Sequence, residues 1–193
     1  MKTLILITGP SGSGKDHLVK RLEENFNIQQ IKSYTTRSKR SINEDTYHFI
    51  SYKEVNSYIN SAFQIFVDVN TQNIYFSTIN ELENKFRNSD YATLIVTPQS
   101  VLHINRILTG FGYDVLYIHL NTPEYIRYNN MKQLRGDKHE DIVQREKMDS
   151  FINSEYGKFL VANKGEVRDE VFKSNDEAYE FLSAFMHVQP SLF

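Results

Sequence analysis

The chain has 193 residues, a length typical of one domain with a small lid or insert. Hydrophobic residues make up 40% and charged residues 24%, which excludes a disordered or collagen-like chain. Lys and Arg number 22 and Asp and Glu number 24, so the formal net charge is −2 and no global positive field is available to bind nucleic acid. The absence of cysteine excludes disulfides, thiolate metal sites and a cysteine nucleophile.

The sequence also lacks the signals of a membrane or secreted protein. No apolar run approaches the ~20 residues that a membrane-spanning helix requires. The N-terminal apolar run is only about six residues long and passes directly into a glycine motif, which does not fit a signal peptide. We therefore expect a cytoplasmic protein, monomeric or homodimeric, with no membrane or nucleic-acid partner.

Apolar and polar residues alternate in blocks that predict strands and helices in turn. Ser51 with Glu54, and Thr78 with Glu81, match the capping box that opens a helix. Pro123 directly after Thr122 marks another helix start. The predicted strands lie at about 3–8, 28–31, 46–51, 63–69, 74–77, 91–97, 114–120 and 167–172, and the predicted helices at about 15–25, from 52, 78–87, 99–108, 122–136, 141–156 and 176–186.

The strongest functional signal is the segment GPSGSGK, which lies between a predicted strand and a predicted helix. It matches G-x-x-x-x-G-K in the context of a phosphate-binding P-loop. Glycines let backbone N–H groups converge on phosphate oxygens, the helix N-terminus adds a favourable dipole, and the Lys places a charge on the β- and γ-phosphates. The expected ATP-binding residues are Gly9, Pro10, Ser11, Gly12, Ser13, Gly14, Lys15 and Asp16.

Asp16 stands where the motif normally has Ser or Thr, whose hydroxyl ligates Mg²⁺. A carboxylate is also a Mg²⁺ ligand. The strand at 91–97 ends in Thr97, where many P-loop enzymes have a metal-associated Asp. We therefore hypothesise that Asp16 supplies the Mg²⁺ ligand that this strand end lacks. The alternative is a first-turn carboxylate that only complements the helix dipole.

The segment SYTTRSKR at Ser33–Arg40, followed by Tyr47-His-Phe49, is the second signal. Together with GPSGSGK it resembles the guanylate kinase family, in the same order and over nearly the whole chain. The TTR-x-x-R segment followed by Tyr-x-Phe is more specific to that family than the P-loop. The resemblance implies an enzyme that transfers the γ-phosphoryl group of ATP, with Mg²⁺, to a nucleoside monophosphate, with GMP or dGMP as the leading acceptor.

The alternating elements and the resemblance together predict an α/β fold, with a P-loop NTPase three-layer core built on a parallel sheet. The short strands at residues 33–78 interrupt the alternation and are expected to form an insert that binds the acceptor. A helical lid is expected at about residues 135–156. The core of this single domain would comprise residues 1–32, 79–134 and 157–193.

The resemblance implies a role for each matching side chain. Two arginines and two tyrosines would hold the acceptor phosphate, and two serines would contact the base. Two further arginines would close over the transferring phosphoryl group. Guanidinium groups suit phosphate oxygens, and phosphoryl transfer depends on positioning and positive charge. These residues are Arg37, Arg40, Tyr47 and Tyr75 at the phosphate, Ser33 and Ser77 at the base, and Arg135 and Arg145 in the lid, with Lys15 as the third catalytic residue.

The base site departs from the family pattern. The family reads guanine with a Glu on the strand before Tyr75, and ungapped counting puts Phe66 there. Asp68, two residues on and on the same strand face, is the candidate replacement. The family's acidic residues at the end of the strand at 91–97 are also missing, and Glu44 follows Ile42-Asn43 where the family has Gly-Glu. Phosphate binding is therefore better defined by the sequence than the base.

Two alternatives remain open. An Asp after the P-loop Lys also resembles the ribose 1,5-bisphosphate phosphokinases, which have the same fold and need no base-reading acid. Guanylate kinase-like domains also serve as catalytically inactive protein-binding modules, although those usually lose the phosphate loop. The three possibilities differ in one assay. A nucleoside monophosphate kinase turns over with a nucleotide, the phosphokinase turns over with the sugar bisphosphate, and a binding module binds ATP without turnover.

Overall fold

The computed structural model describes residues 1–39, 41–68, 71–134 and 136–188. Short 3₁₀ turns at Ile59–Ser61 and Pro98–Ser100 and a π-helical turn at Asn130–Leu134 accompany its helices and strands. In chain order these are β1 (Thr3–Thr8), α1 (Lys15–Phe26), β2 (Gln29–Gln30), β3 (Tyr34–Thr35), β4 (His48–Phe49), α2 (Val55–Tyr58), β5 (Ala62–Val67), β6 (Ile74–Thr78), α3 (Ile79–Lys85), β7 (Tyr91–Ile95), α4 (Val101–Gly110), β8 (Asp114–Leu120), α5 (Glu124–Asn129), α6 (His139–Asn163), β9 (Arg168–Phe172) and α7 (Asn175–Val188).

A parallel sheet with the strand order β2-β7-β1-β8-β9 forms the core. Successive side chains of a strand point to opposite faces, and the two faces of β1 belong to two separate core clusters. Leu4 and Leu6 pack in one cluster, whereas Ile5 and Ile7 pack in the other. All four side chains are fully buried, as expected for a strand covered by helices on both faces. The predicted three-layer α/β core is confirmed.

A second sheet, in the order β4-β3-β6-β5, lies within residues 34–78. It is mixed, because β3 pairs parallel to β4 and antiparallel to β6. The ring of Tyr34 packs against three other rings, with centroid distances of 4.8 Å to Tyr58, 5.1 Å to Phe76 and 4.7 Å to His48. The sequence predicts three of its strands, but β3 lies in a polar, basic stretch for which no strand is predicted.

The two capping boxes have different outcomes. Thr78 caps α3 as predicted, since its Oγ1 accepts a hydrogen bond of 3.3 Å from the backbone N–H of Glu81. The helix predicted to start near Tyr52 is present but begins three residues later, at Val55. The Ser51 hydroxyl donates to Glu54 Oε2 at 2.7 Å instead of accepting a backbone N–H, so the pair stabilises a turn.

The helix α6 is longer than its predicted range of 141–156. It has 25 residues and runs through Gly157 to Asn163. Packing outweighs the low helix propensity of glycine here, because Phe159 is buried in the core cluster beneath Tyr117. Neither α6 nor any other helix within the described ranges is long and apolar enough to cross a bilayer.

Candidate active site

The predicted phosphate loop connects β1 to α1 and lies against the segments that follow β8. At Gly12, with φ +74°, a Cβ atom would lie 2.5 Å from the carbonyl oxygen of Arg127. At Gly9, a Cβ atom would lie 2.6 Å from the carbonyl oxygen of Leu120. Any other residue would force these backbones apart, so both glycines are needed for the close approach.

Lys15 is the first residue of α1 and turns back over the loop. Its Nζ donates hydrogen bonds to the carbonyl oxygens of Gly9 at 2.7 Å and Pro10 at 2.9 Å. The ammonium group therefore lies over the phosphate loop, where a phosphate chain would be the natural partner for its charge.

Side chains from distant parts of the chain hold the backbone carbonyls of the loop. Thr122, Asn130 and Asn175 bind carbonyl oxygens of the loop, so their bonds take none of the N–H groups that a phosphate would use. The sequence analysis did not predict them, because each meets the loop only through the tertiary fold. The bonds run from Thr122 Oγ1 to Ser13 O at 3.1 Å, from Asn130 Nδ2 to Gly12 O at 2.8 Å, and from Asn175 Nδ2 to Gly14 O at 2.8 Å.

A buried ion pair between Asp149 and Arg127 lies directly behind the loop. Asp149, on α6, accepts a hydrogen bond of 2.7 Å from the backbone N–H of Ser11 and forms the ion pair with the guanidinium of Arg127. That guanidinium also donates to Ser11 O at 3.3 Å and Thr122 O at 3.1 Å. Asp149 thus links α6 to the phosphate loop, and no local sequence pattern indicates it.

Two cavities adjoin at the loop. The larger, of about 860 Å³, is lined by the phosphate loop and the residues that lead into α7. The smaller, of about 350 Å³, is lined by the β5–β6 hairpin, the end of β7 and the middle of α6. Lys15 borders both cavities, as do Ser11, Ser33 and Tyr47. The molecule therefore has space for two ligands whose charged ends would meet at one ammonium group.

The structure brings most of the predicted ATP-binding residues together. Six consecutive residues, from Ser11 to Asp16, line the larger cavity. Gly9 lines the smaller cavity, and Pro10 supplies a carbonyl oxygen to Lys15.

The predicted acceptor residues gather around the smaller cavity. Ser33, Tyr47, Asp68 and Tyr75 line it. Ser77 is fully buried beside it, with its Oγ 2.8 Å from Ser33 Oγ. These residues lie in or directly beside the four strands β3 to β6, and the fold brings them together at one cavity.

Arg37 is paired with a carboxylate at the edge of this region. Its Nη2 lies 2.6 Å from Glu44 Oε1, and its guanidinium lies 5.5 Å from the ring centroid of Tyr47. Burial tends to lower the pKa of Arg37, but the hydrogen bond and charge of Glu44 outweigh it and raise the pKa. Glu44 is the acidic residue that follows Ile42-Asn43, so it holds the first arginine of the TTR-x-x-R segment.

The remaining predicted arginines are described only in part. Arg145 lies on α6, lines the larger cavity and forms an ion pair of 3.3 Å with Asp137. Arg40 and Arg135 lie outside the described residues.

Gln64 is a site residue that the sequence analysis missed. Strand pairing places Gln64 opposite Ser77 and Phe66 opposite Tyr75. Gln64 lines the smaller cavity, and its Oε1 accepts a hydrogen bond of 3.2 Å from Ser77 Oγ. Ungapped counting selected Phe66, whereas pairing Ser77 with its cross-strand neighbour would have selected Gln64.

Asp16 is positioned to fit a Mg²⁺ ion that accompanies a nucleotide. It lies exposed in the first turn of α1, beside Lys15, and lines the larger cavity. Across the described ranges, no three or more His, Cys, Asp and Glu side chains group into a metal site. Protein-bound Mg²⁺ is commonly held by one or two carboxylates together with substrate phosphates, and a single Asp at the phosphate loop suits that mode.

A neutral polar layer lies beneath the loop. His119 Nδ1 is 2.8 Å from Thr8 Oγ1, and its ring stacks on Tyr156 at a centroid distance of 3.8 Å. Burial, assisted by the charge of Lys15, lowers the pKa of His119 to about 4. Burial also raises the pKa of Tyr156 to about 12, with a smaller contribution from Asp169. Both rings are therefore uncharged at neutral pH.

Comparisons with known proteins agree with this geometry. The guanylate kinase family profile matches residues 1–178. The guanylate kinase of Blochmanniella floridana is 27% identical in an alignment over 159 residues, with 68% of this chain and 71% of the relative covered. The guanylate kinase of Hydrogenovibrio crunogenus is 27% identical in an alignment over 157 residues, with 77% of this chain and 72% of the relative covered.

Solved structures show the same fold. The crystal structure of guanylate kinase from Anaplasma phagocytophilum superposes with a TM-score of 0.60 at 18% identity, covering 97% of this chain and 86% of that one. A deoxyadenosine kinase from M. mycoides superposes with a TM-score of 0.50 at 12% identity, covering 96% and 99%. On the family match over most of its length, the chain belongs to the guanylate kinase family.

Proposed function

We propose that the chain is an ATP-dependent nucleoside monophosphate kinase that transfers the γ-phosphoryl group of ATP to GMP or dGMP. The observation that carries this proposal is the position of Lys15, which borders both cavities. ATP would bind in the larger cavity, and the monophosphate in the smaller one. An oxygen of the acceptor phosphate attacks the γ-phosphorus, and the bond between that phosphorus and the β,γ-bridging oxygen breaks to release ADP.

The side chains would stabilise charge and position the two substrates. Lys15 and Arg145 neutralise the phosphate chain of ATP, and Arg37, Tyr47 and Tyr75 hold the acceptor phosphate. Mg²⁺, when bound with ATP, supplies further positive charge at the β- and γ-phosphates, and Asp16 is the residue that would hold it. Arg40 and Arg135 are assigned to the acceptor phosphate and to the transferring group by resemblance alone.

The proposed domain division follows the substrates. Residues 1–32, 79–134 and 157–193 form the core that binds ATP, residues 33–78 the insert that binds the monophosphate, and residues from about 135 to 156 the lid. Closure of the insert and of the lid residues that precede Asp149, which is already bound to the phosphate loop, would exclude water and so suppress ATP hydrolysis.

A second candidate is phosphorylation of ribose 1,5-bisphosphate. Asp16 in the larger cavity favours it, because that carboxylate distinguishes the loop from the ordinary Ser or Thr form. A sugar bisphosphate also needs no carboxylate to read a base, and an amide, Gln64, lies opposite Ser77 in the acceptor hairpin. An inactive binding module is the third candidate, and it would bind ATP without turning it over.

The test is ADP release from Mg·ATP with GMP, dGMP, AMP, CMP, UMP, dTMP or ribose 1,5-bisphosphate as acceptor. We expect the highest rate with GMP or dGMP, and a rate with the sugar bisphosphate alone would favour the second candidate.

Lys15→Ala should lower kcat by about 10³-fold or more, as is typical when a cation that stabilises the transferring phosphoryl group is removed. Lys20→Ala is the matched control, because Lys20 lies on the same helix with its side chain 73% exposed. A Lys15→Ala protein with the wild-type rate would refute the mechanism.

A further inference from the structure

The smaller cavity ends in a chain of three hydrogen-bonded side chains. Ser33 Oγ lies 2.8 Å from Ser77 Oγ, and the Ser77 hydroxyl donates to Gln64 Oε1 at 3.2 Å. The three residues are 9%, 0% and 7% exposed, in that order. Ser33 and Gln64 also line the cavity, next to the rings of Phe66 and Tyr75. This polar end lies within an aromatic wall, which is the usual composition of a site for a planar base.

The orientation of the Gln64 amide sets the direction of the hydroxyl protons. A serine hydroxyl has one proton, so if Ser77 donates to Gln64, Ser33 must donate to Ser77. Gln64 Oε1 is then held toward Ser77 and retains one free lone pair, while the Nε2 hydrogens have no acceptor within the described part of the chain. An amide nitrogen at the wall of a cavity can donate to a group bound there, and a ligand carbonyl would provide the acceptor.

We propose that Gln64 reads the O6 and N1–H edge of a 6-oxopurine and makes no contact with the 2-amino group. Gln64 Nε2 donates to O6, and Oε1 accepts from N1–H with its second lone pair. Hypoxanthine and guanine have the same O6 and N1–H groups, so the site takes IMP and GMP alike. This inference rests on the proposed nucleoside monophosphate kinase activity and names the class of base that the same site accepts.

The difference from a carboxylate lies in the count of acceptors. A carboxylate accepts from both N1–H and the 2-amino group of guanine, and so it distinguishes guanine from hypoxanthine, which has no 2-amino group. An amide has one accepting oxygen, which N1–H occupies. Adenine presents an amino group in place of O6, which would face the Nε2 donor of Gln64 unless the amide and both serine hydroxyls reversed.

The first test compares kcat/KM for GMP, IMP and AMP with the wild-type protein, alongside equilibrium binding of each without ATP. We expect GMP and IMP to agree within about threefold, and AMP to be at least about tenfold lower, because a buried donor facing an amino group is left unpaired. A preference for GMP over IMP greater than about 30-fold, or AMP exceeding both, would overturn the inference while leaving the kinase activity intact. Absence of turnover with every monophosphate would overturn the proposed function. Failure of GMP and IMP to bind would overturn the inference too.

The second test changes the acceptor count at this one position. Gln64→Glu should raise the preference for GMP over IMP by at least about tenfold, because a charged acceptor becomes available to the 2-amino group. Gln29→Glu is the matched control, since Gln29 lies exposed on β2 and the same charge is added there without effect on the ratio. A folded Gln64→Glu protein with an unchanged ratio would contradict the inference. If Gln64→Glu does not fold, the ratio of kcat/KM for GMP to that for IMP in the wild-type protein still tests the inference.

Discussion

The phosphate loop and the polar end of the smaller cavity, where we propose that the base binds, both depend on buried polar contacts, but their partners come from different parts of the chain. Ser11 is held by Asp149, 138 residues along the chain, and Gly14 by Asn175, 161 residues along. Ser33 and Gln64 lie only 44 and 13 residues from Ser77, their common partner. The loop is therefore fixed by residues far along the chain, whereas the proposed base end is built within one insert. A change of base preference should need few substitutions and leave the loop intact.

The largest effect should come from removing the distant partner of the loop. Asp149→Ala leaves Arg127 buried without its carboxylate and removes the acceptor of the Ser11 N–H, so we expect a loss of roughly 3–5 kcal/mol in the free energy of unfolding. Urea denaturation measures it, with Asn153→Ala, at an exposed position on the same helix, as the control. An unchanged urea midpoint for Asp149→Ala would show that the core does not hold the loop through this pair.

The polar layer beneath the loop should make stability depend on pH. The pKa of His119 in the folded protein is lowered to about 4, below the ordinary 6.5. Between these two pH values the unfolded chain binds a proton at His119 that the folded chain does not bind. This contribution is fully present above pH 6.5 and is lost as the pH falls toward 4, by about 3 kcal/mol.

Urea unfolding at several pH values between 4.5 and 7.5 would measure this dependence. His119→Gln cannot titrate, so its stability should fall less over the same interval. Equal slopes for the two proteins would assign the pH dependence to other groups.

A substitution at the proposed acceptor-phosphate site should weaken binding of the acceptor without weakening binding of ATP. Arg37→Ala removes the guanidinium proposed to hold the acceptor phosphate, so we expect KM for GMP to rise about tenfold or more while KM for ATP changes little. Steady-state kinetics with each substrate varied in turn gives both constants. Arg87→Ala, at an exposed position after α3, serves as the control. Equal increases in both KM values would contradict the separation of the two sites.

The smallest effect should come from the junction of the insert with the core. Thr78→Ala removes the N-cap of α3, where Thr78 Oγ1 accepts from the Glu81 N–H, and should cost about 1 kcal/mol of stability. Thr78→Ser keeps the capping oxygen and should remain close to the wild type. Thermal unfolding distinguishes the two variants, and identical losses would assign the effect to the methyl group instead of the cap.

The sequence predicted the features that local patterns encode. Apolar runs gave the parallel sheet, and GPSGSGK gave a loop whose residues from Ser11 to Asp16 do line one cavity. Asp149 and Asn175 escaped prediction because their contacts with the loop exist only after the chain has folded. Gln64 was not predicted because ungapped counting ignores strand register. Its pairing with Ser77 can be recognised only once that register is known.

The uninterrupted helix α6 fixes a distance as well as a set of contacts. Asp149 reaches the phosphate loop, whereas Phe159 packs on the ring of Tyr117 at a centroid distance of 4.6 Å. Ten residues separate them, or about 15 Å of helix, and one added residue would turn one end by about 100° relative to the other. The number of residues between Asp149 and Phe159 is therefore fixed by the contacts at both positions. Among related sequences, insertions and deletions should be absent between these two positions and collect instead in the hairpin turn near Thr71.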